Sequence, residues 1–132
     1  MAFDTNHGAV FGFIAIHAGD PARTQAFSSR VLGWEELPDA PVGPDGFFMK
    51  RPGGENPEAT ILGADDTGGV PVGQWITQIA VDDIRAVAAR CVEMGGEIVA
   101  EIQPVSDDDP GLMCRIRDPE GAVLGLIQVA KA

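Results

Sequence analysis

Displaced along itself by 62 residues, so that Asp118 falls on Asn56, the chain partly repeats. DPEGAVLGL from Asp118 then overlies NPEATILGA from Asn56, with Pro57/Pro119, Glu58/Glu120, Leu62/Leu124 and Gly63/Gly125 identical. The same offset, without a gap, pairs Ile14/Ile76, Ala18/Ala80, Asp20/Asp82, Arg23/Arg85, Ala26/Ala88, Gly33/Gly95 and Glu35/Glu97. Identity is sparse, but it falls on helix caps, helix stops and turns, where backbone geometry restricts the choice of residue most. A duplicated unit of about 60 residues accounts for that distribution.

Local signals give each copy the same order of elements. FGFIAIHA reads as a strand, with Ile14 and Ile16 on one face and Phe13, Ala15 and His17 on the other. GDPARTQAFSSRVLGW follows, with Asp20 as N-cap, Pro21 at the first helical position and Gly33 as the stop. In the second copy the strand WITQIAV precedes DDIRAVAARCVEMGG. There Ile84, Val87, Ala88 and Cys91 recur at helical spacing and Gly95-Gly96 close the helix. The first copy, residues 11–64, is expected to run strand 11–18, helix 21–32, then strands near 34–37, 46–51 and 59–64. The second, residues 75–128, is expected at 75–81, 83–94, 97–103, 111–117 and 122–128. DDTGGVPVG, rich in glycine and turn residues, marks 65–74 as the linker. The expected fold is α+β: two tandem βαβββ modules forming a curled mixed sheet around a cleft, with helices on the outer face. Residues 1–132 then make a single domain, as 13.8 kDa allows.

Composition narrows the function classes. Twenty acidic side chains against nine basic ones give a net charge of −11, and the basic residues form no stripe, so nucleic acid is not an expected partner. An acidic surface favours solubility and could also attract a cationic ligand. No apolar run reaches the roughly 18 residues of a membrane span. The N-terminal MAFDTNHGAV lacks the pattern of a secretory signal, so no membrane partner and a cytoplasmic location are expected. Cys91 and Cys114 lack metal-ligand spacing, and Cys91 on the apolar helix face reads as a reduced, buried, structural thiol.

GDPARTQAFSSRVLGWE resembles the first-module pattern of the vicinal oxygen chelate superfamily, which includes glyoxalases, bleomycin-resistance proteins and extradiol dioxygenases. PVGQWITQIAVDDIRAVAARCVEMGGEIV and RDPEGAVLGLIQ resemble its second-module pattern, so the likeness covers about residues 11–128. The resemblance implies paired βαβββ modules, a homodimer and, in metal-dependent members, four ligands from the first and last strands of each module. Those are usually His, Gln or Glu, because they offer nitrogen and oxygen donors. The last-strand positions fall here on Gly63 and Gly125, and the first-strand positions on Phe13 and on Ile76 or Trp75. None can ligate a metal, so the expectation is no metal and no cofactor. His7, in an N-terminal tail, and His17 lack the converging spacing of a ligand pair.

His17 shares the Phe13 face and would point into the cleft, as a hydrogen-bonding group or general base, unless it is a satisfied histidine at a strand end. Gln78 interrupts an apolar strand and needs partners, either a wet pocket or backbone. Arg115 falls with Met113 on the face opposite Cys114 and Ile116. It would serve a carboxylate or phosphate in a cleft, or point outward from an exposed sheet. Phe13, Phe48 and Trp75 offer aromatic walls or core packing, and Gly63 and Gly125 leave room for a ligand or for a facing backbone. Ser28 stands where relatives often carry an aromatic residue. The acidic runs Asp107–Pro110 and Asp65–Gly69 read as solvated loops, not as a calcium loop. The expected function is binding of a small organic ligand without a metal, in the extreme case sequestration of a cationic toxin. The alternatives are a metal-independent lyase, isomerase or hydrolase with His17 as base, and a degenerate assembly or regulatory partner.

Overall fold

A computed structural model of the protein describes residues 3–37, 46–63, 71–106 and 109–129. The elements follow in the order β1 (Val10–His17), α1 (Pro21–Leu32), β2 (Glu35–Glu36), β3 (Phe47–Lys50), β4 (Ala59–Leu62), β5 (Trp75–Ala80), α2 (Ile84–Glu93), β6 (Glu97–Ser106), β7 (Asp109–Arg117) and β8 (Val123–Gln128). The fold is α+β, with the βαβββ order expected from the repeat occurring twice. The chain divides into two compact units, Phe13–Ile76, and Thr77–Ala132 together with Met1–Gly12.

In the Phe13–Ile76 unit the strand order is β2-β3-β4-β1. β1 runs parallel to β4, and the β3/β4 and β2/β3 pairs are antiparallel. In the other unit β6-β7-β8-β5 repeats that order, with β5 parallel to β8 and the β7/β8 and β6/β7 pairs antiparallel. The duplication read from caps and turns is therefore also a duplication of topology. A parallel pair needs a crossover, and each helix supplies one. Pro104 lies in β6, at the end of its unit's strand order, where a missing N–H breaks no ladder with a further strand.

The helix ends obey the sequence signals. Asp20 accepts a hydrogen bond from the Arg23 N–H, and Asp83, one residue beyond the repeat-mate of Asp20, accepts one from Ala86. The Gln128 side chain, at the end of β8, also accepts from the Ile84 N–H at 2.8 Å, satisfying an orphan donor of the first turn of α2. Gly33 ends α1 at φ 73°, and Gly95 follows α2 at φ 92°, both left-handed conformations that favour glycine.

Each unit has its own apolar cluster. Ile16, Ala18, Met49, Ala59 and Ile61 form the first, with Ile14, Trp34 and Phe47 packed against it. Val81, Ile84, Cys114, Ile116 and Leu126 form the second, joined by Ile79, Val87, Cys91, Ile98, Ile102, Leu112 and Leu124. Helix α2 thus buries the side its periodicity marked. Helix α1 does not follow the same rule, because Phe27, Val31 and Leu32 are exposed while Ser28 is fully buried. The Ser28 hydroxyl donates to the Thr24 carbonyl at 2.9 Å, one turn back, which satisfies it without a partner from the sheet.

Some boundaries differ from expectation. Asp109 and Pro110 open β7 rather than lying in a loop, because the β6/β7 pairing reaches Ser106 and Asp109. The rest of that acidic run, Asp107 and Asp108, and the run Asp65–Gly69 lie outside the described residues. Cys91 is half-buried rather than buried, whereas Cys114 is buried; both are free thiols. The Cys114 thiol is pushed up to about 11, first by burial and then by Cys91 and Glu101 nearby. It is a packing group at neutral pH, since only a thiolate is a nucleophile. The folded chain holds this proton more tightly than the unfolded one, whose thiol ionises near 9.0. Its contribution is therefore fully present below pH 9 and is lost as pH rises towards 11. Denaturant melts across that window should lose at most about 1 kcal/mol per pH unit on this account, and Cys114→Ala should flatten the slope. An equal slope in the variant would remove Cys114 as its source.

Candidate functional site

Successive side chains of a strand point to opposite faces, so the strand registers fix which residues stand together. In the Phe13–Ile76 unit, Ile14 and Ile16 go to the apolar cluster, which leaves Phe13, Ala15 and His17 on the other face of β1. Ala15 pairs with Thr60 of β4, and Thr60 with Phe48 of β3, while His17 pairs with Leu62. The face away from the core thus carries a transverse row Ala15–Thr60–Phe48. The ring of Phe13 meets Phe48 edge-to-face at 6.5 Å. Phe13, Ala15, His17 and Thr60 are all buried, His17 at 3% exposure. The His17 backbone is pinned on both sides by the segment before β5, donating to the Gln74 carbonyl and accepting from the Gly73 N–H at 2.7 Å. At the outer end of β3, Lys50 pairs with Glu35 of β2 at 3.1 Å.

Trp75 does not join Phe13 and Phe48. It is half exposed and lies 6.3 Å from Trp34, which packs against the apolar cluster. The alternation of β5 puts Ile76 and Gln78 on one face and Trp75 on the other.

In the Thr77–Ala132 unit the registers bring three expected residues into one row. Gln78 pairs with Gly125, and Gly125 with Arg115. All three stand on the face turned away from α2, because Cys114, Ile116 and Leu126 take the other one. Arg115 is half-buried and engaged in an interaction of its own. The reason for the glycine in β8 is the glutamine beside it. A Cβ at Gly125 would lie 2.1 Å from Gln78 Oε1 and 2.4 Å from its Cδ and Nε2. The buried amide of Gln78 lies flat on Gly125, in the space that a side chain from that position would need. Gly12 shows the same closeness from the other side, with a Cβ there reaching the Gln78 carbonyl oxygen at 2.9 Å. Gly63, the other last-strand position, is buried one residue beyond the end of β4.

The donor set does not suit a divalent metal. Phe13 and Ile76 have no donor atoms, and the Gln78 amide occupies the room that a carboxylate from position 125 would enter. Among the described residues, no three His, Cys, Asp or Glu side chains are grouped to hold an ion. His7 is exposed in an N-terminal turn.

One residue at this face was not marked by its sequence. Thr60 is 5% exposed, and its Oγ1 has no hydrogen-bond partner among the described residues. Leaving such a hydroxyl buried and unpaired costs about 1–3 kcal/mol. In ATIL a threonine reads as a β-former, and nothing in those letters shows that its neighbour across the ladder is an alanine.

A family model described as a glyoxalase-like domain matches residues 13–127. The chain belongs to the glyoxalase-like domain family. Over 120 residues this glyoxalase-like chain is 34% identical to CFP32 of Mycobacterium tuberculosis and to CFP32 of Mycobacterium bovis, each named as a candidate glyoxylase. The match takes in 88% of this chain but 44% of those proteins, so the chain spans less than half the length of the curated relatives it matches. Among solved structures, a glyoxalase/bleomycin resistance protein/dioxygenase superfamily member from Vibrio splendidus aligns with TM-score 0.59 and 18% identity, over 91% of this chain and 96% of that one. A methylmalonyl-CoA epimerase from Mycobacterium tuberculosis aligns with TM-score 0.60 and 17% identity, over 92% and 89%. The Mn(II)-bound glyoxalase from Novosphingobium aromaticivorans reaches 0.63 at 16% identity, over 93% of this chain and 41% of that one. At such identities the likeness is one of fold. No helix among the described residues is long and apolar enough to cross a membrane.

Proposed function

We propose that this glyoxalase-like protein binds a small organic molecule on a sheet face turned away from an apolar cluster, and does so without a metal. The observation that carries the reading is the Gln78 amide seated on Gly125. The position where metal-dependent relatives are expected to present a carboxylate is given to a neutral amide. The polar groups on such faces, His17 and Thr60 in the Phe13–Ile76 unit and Gln78 and Arg115 in the Thr77–Ala132 unit, each suit hydrogen bonding better than ligation of an ion. A net charge of −11 favours a neutral or cationic ligand over an anion. The homodimer and the cytoplasmic location implied above belong to the same proposal; light scattering and fractionation test them.

The test is a thermal-shift screen of protein stripped with a chelator, against aromatic metabolites and cationic drugs. At least one compound class should raise Tm, since a ligand that binds only the folded state stabilises it by mass action. Added Mn(II), Zn(II) or Ni(II) should change neither Tm nor the compound's affinity. Stoichiometric metal uptake that sharpens ligand binding would overturn the metal-free reading, and a screen with no stabilising compound would overturn ligand binding.

A second reading is favoured by the placement of His17, a buried imidazole on the Phe13 face at the end of β1. A neutral imidazole there can take a proton from a bound substrate. In that case turnover survives chelators and collapses in His17→Ala. Turnover retained by His17→Ala would remove the residue from that role.

A further inference from the structure

We infer that Thr60 is the polar anchor of a subsite for the carbonyl or hydroxyl group of a neutral aromatic ligand. This deepens the ligand-binding reading above and rests on it. The floor of the subsite is the pair Ala15–Thr60, in register on β1 and β4. Ala15 ends at its Cβ between the longer side chains of Phe13 and His17, so the residue in register with Thr60 is the smallest on its strand face. Phe48 stands beside Thr60 in register on β3 and its ring meets Phe13 edge-to-face, 6.5 Å between centroids, while His17 and Leu62 are paired two residues further along β1 and β4. Thr60 is 5% exposed, and its buried hydroxyl, with no partner among the described residues, can donate one hydrogen bond and accept others. Buried hydroxyls are normally paired, so one left open on a buried face needs a partner from outside the fold. Aromatic rings on the flank favour a flat ligand that can meet an edge or a face. No carboxylate, guanidinium or ammonium group belongs to this row, so a charged ligand group would be buried without compensation.

Two probes differing only in the relevant atom test this: acetophenone, which carries the carbonyl, and ethylbenzene, which carries a methylene in its place. Binding is followed by amide chemical shifts in the full chain and in Thr60→Val and Thr60→Ser. The wild type should prefer acetophenone by about tenfold or more, the effect of one well-placed hydrogen bond. Thr60→Val, of the same shape, should lose that preference while still binding ethylbenzene, and Thr60→Ser should keep it. Thr60→Val should also raise Tm by a few degrees, because it removes an unpaired buried hydroxyl. A ketone preference that persists in Thr60→Val overturns the anchor but leaves ligand binding standing. A fall in Tm in Thr60→Val shows that the hydroxyl serves the fold, and also overturns the anchor. If neither probe binds the wild type while the thermal-shift screen finds a stabilising compound, the anchor fails and ligand binding stands.

Discussion

Gly96→Ala should be the most damaging single-methyl substitution in the Thr77–Ala132 unit. A Cβ at Gly96 would sit 2.5 Å from the Cys91 sulfur and 2.6 Å from the Arg117 carbonyl oxygen. Neither neighbour can yield cheaply. Arg117 is held at the end of β7 by its pairing with both Glu97 and Val123. Cys91 belongs to the last turn of α2, where the Gly96 N–H donates back to the Cys91 carbonyl at 2.9 Å. The added methyl must therefore push the end of α2 away from β7, opening the contacts that Cys91 makes with the Cys114–Leu126 cluster. Overpacking of this kind costs about 1–3 kcal/mol, and loss of the helix-terminal hydrogen bond adds about 1. Urea melts should show a loss of about 3 kcal/mol. Cys91→Ala in the same chain should recover part of it, since one of the two clashes is then gone. A Gly96→Ala protein as stable as the wild type would mean that the helix end is not fixed against β7 as the geometry requires.

Gly96 also shows why parts of the fold were legible. Gly95-Gly96 reads as a helix stop from local chemistry, and so do Gly33, Pro21 and Asp20. Each of these satisfies a demand of the backbone within a few residues of itself, which a single sequence displays. The repeat was visible for the same reason, since caps and turns recur where side chains in the core are free to vary. Faces of strands followed from alternation, and the structure keeps Ile14 and Ile16 apart from Phe13, Ala15 and His17 as that rule demands.

What depends on register between strands was not legible. Trp75 was grouped with Phe13 and Phe48 because all three are aromatic, yet its partner is Trp34, set by a helix stop and not by any pattern in β5. Thr60 carries no site signal in the sequence, because the letters do not show Ala15 across the ladder. Helix α1 leaves Phe27, Val31 and Leu32 exposed and buries Ser28, whose hydroxyl meets its hydrogen-bond need within the helix. Periodicity records which residues share a helix side, but it does not say which side is buried when a small polar residue satisfies itself. From sequence, Gly125 means room for a ligand or for a backbone. The occupant is a glutamine side chain from β5, far away in sequence.

That pairing makes the second large prediction, a coupling between Gly125 and Gln78. Gly125→Ala alone should cost about 1 kcal/mol, because the new Cβ falls 2.1 Å from Gln78 Oε1 and the buried but flexible amide must turn away from it. Gln78→Ala alone should also destabilise, by removing a buried side chain and leaving a small void over a glycine. Combined, the two changes should cost less than their sum by 1 kcal/mol or more, since the alanine methyl then fills part of the space that the amide leaves. Direct neighbours are the case in which additivity fails, and a double-mutant cycle from urea melts reads the coupling. Additive losses would mean that the amide does not lie on Gly125. The cycle also bears on metal chemistry. With the amide gone, Gly125→Glu can place a carboxylate in the row, but Phe13 and Ile76 still offer no donor and Gly63 no side chain. A Gly125→Glu/Gln78→Ala protein should therefore gain no tight Mn(II) or Zn(II) binding by calorimetry. One restored ligand cannot make a site of four, so the lack of the usual metal ligands is a property of the whole donor set and not of one glycine.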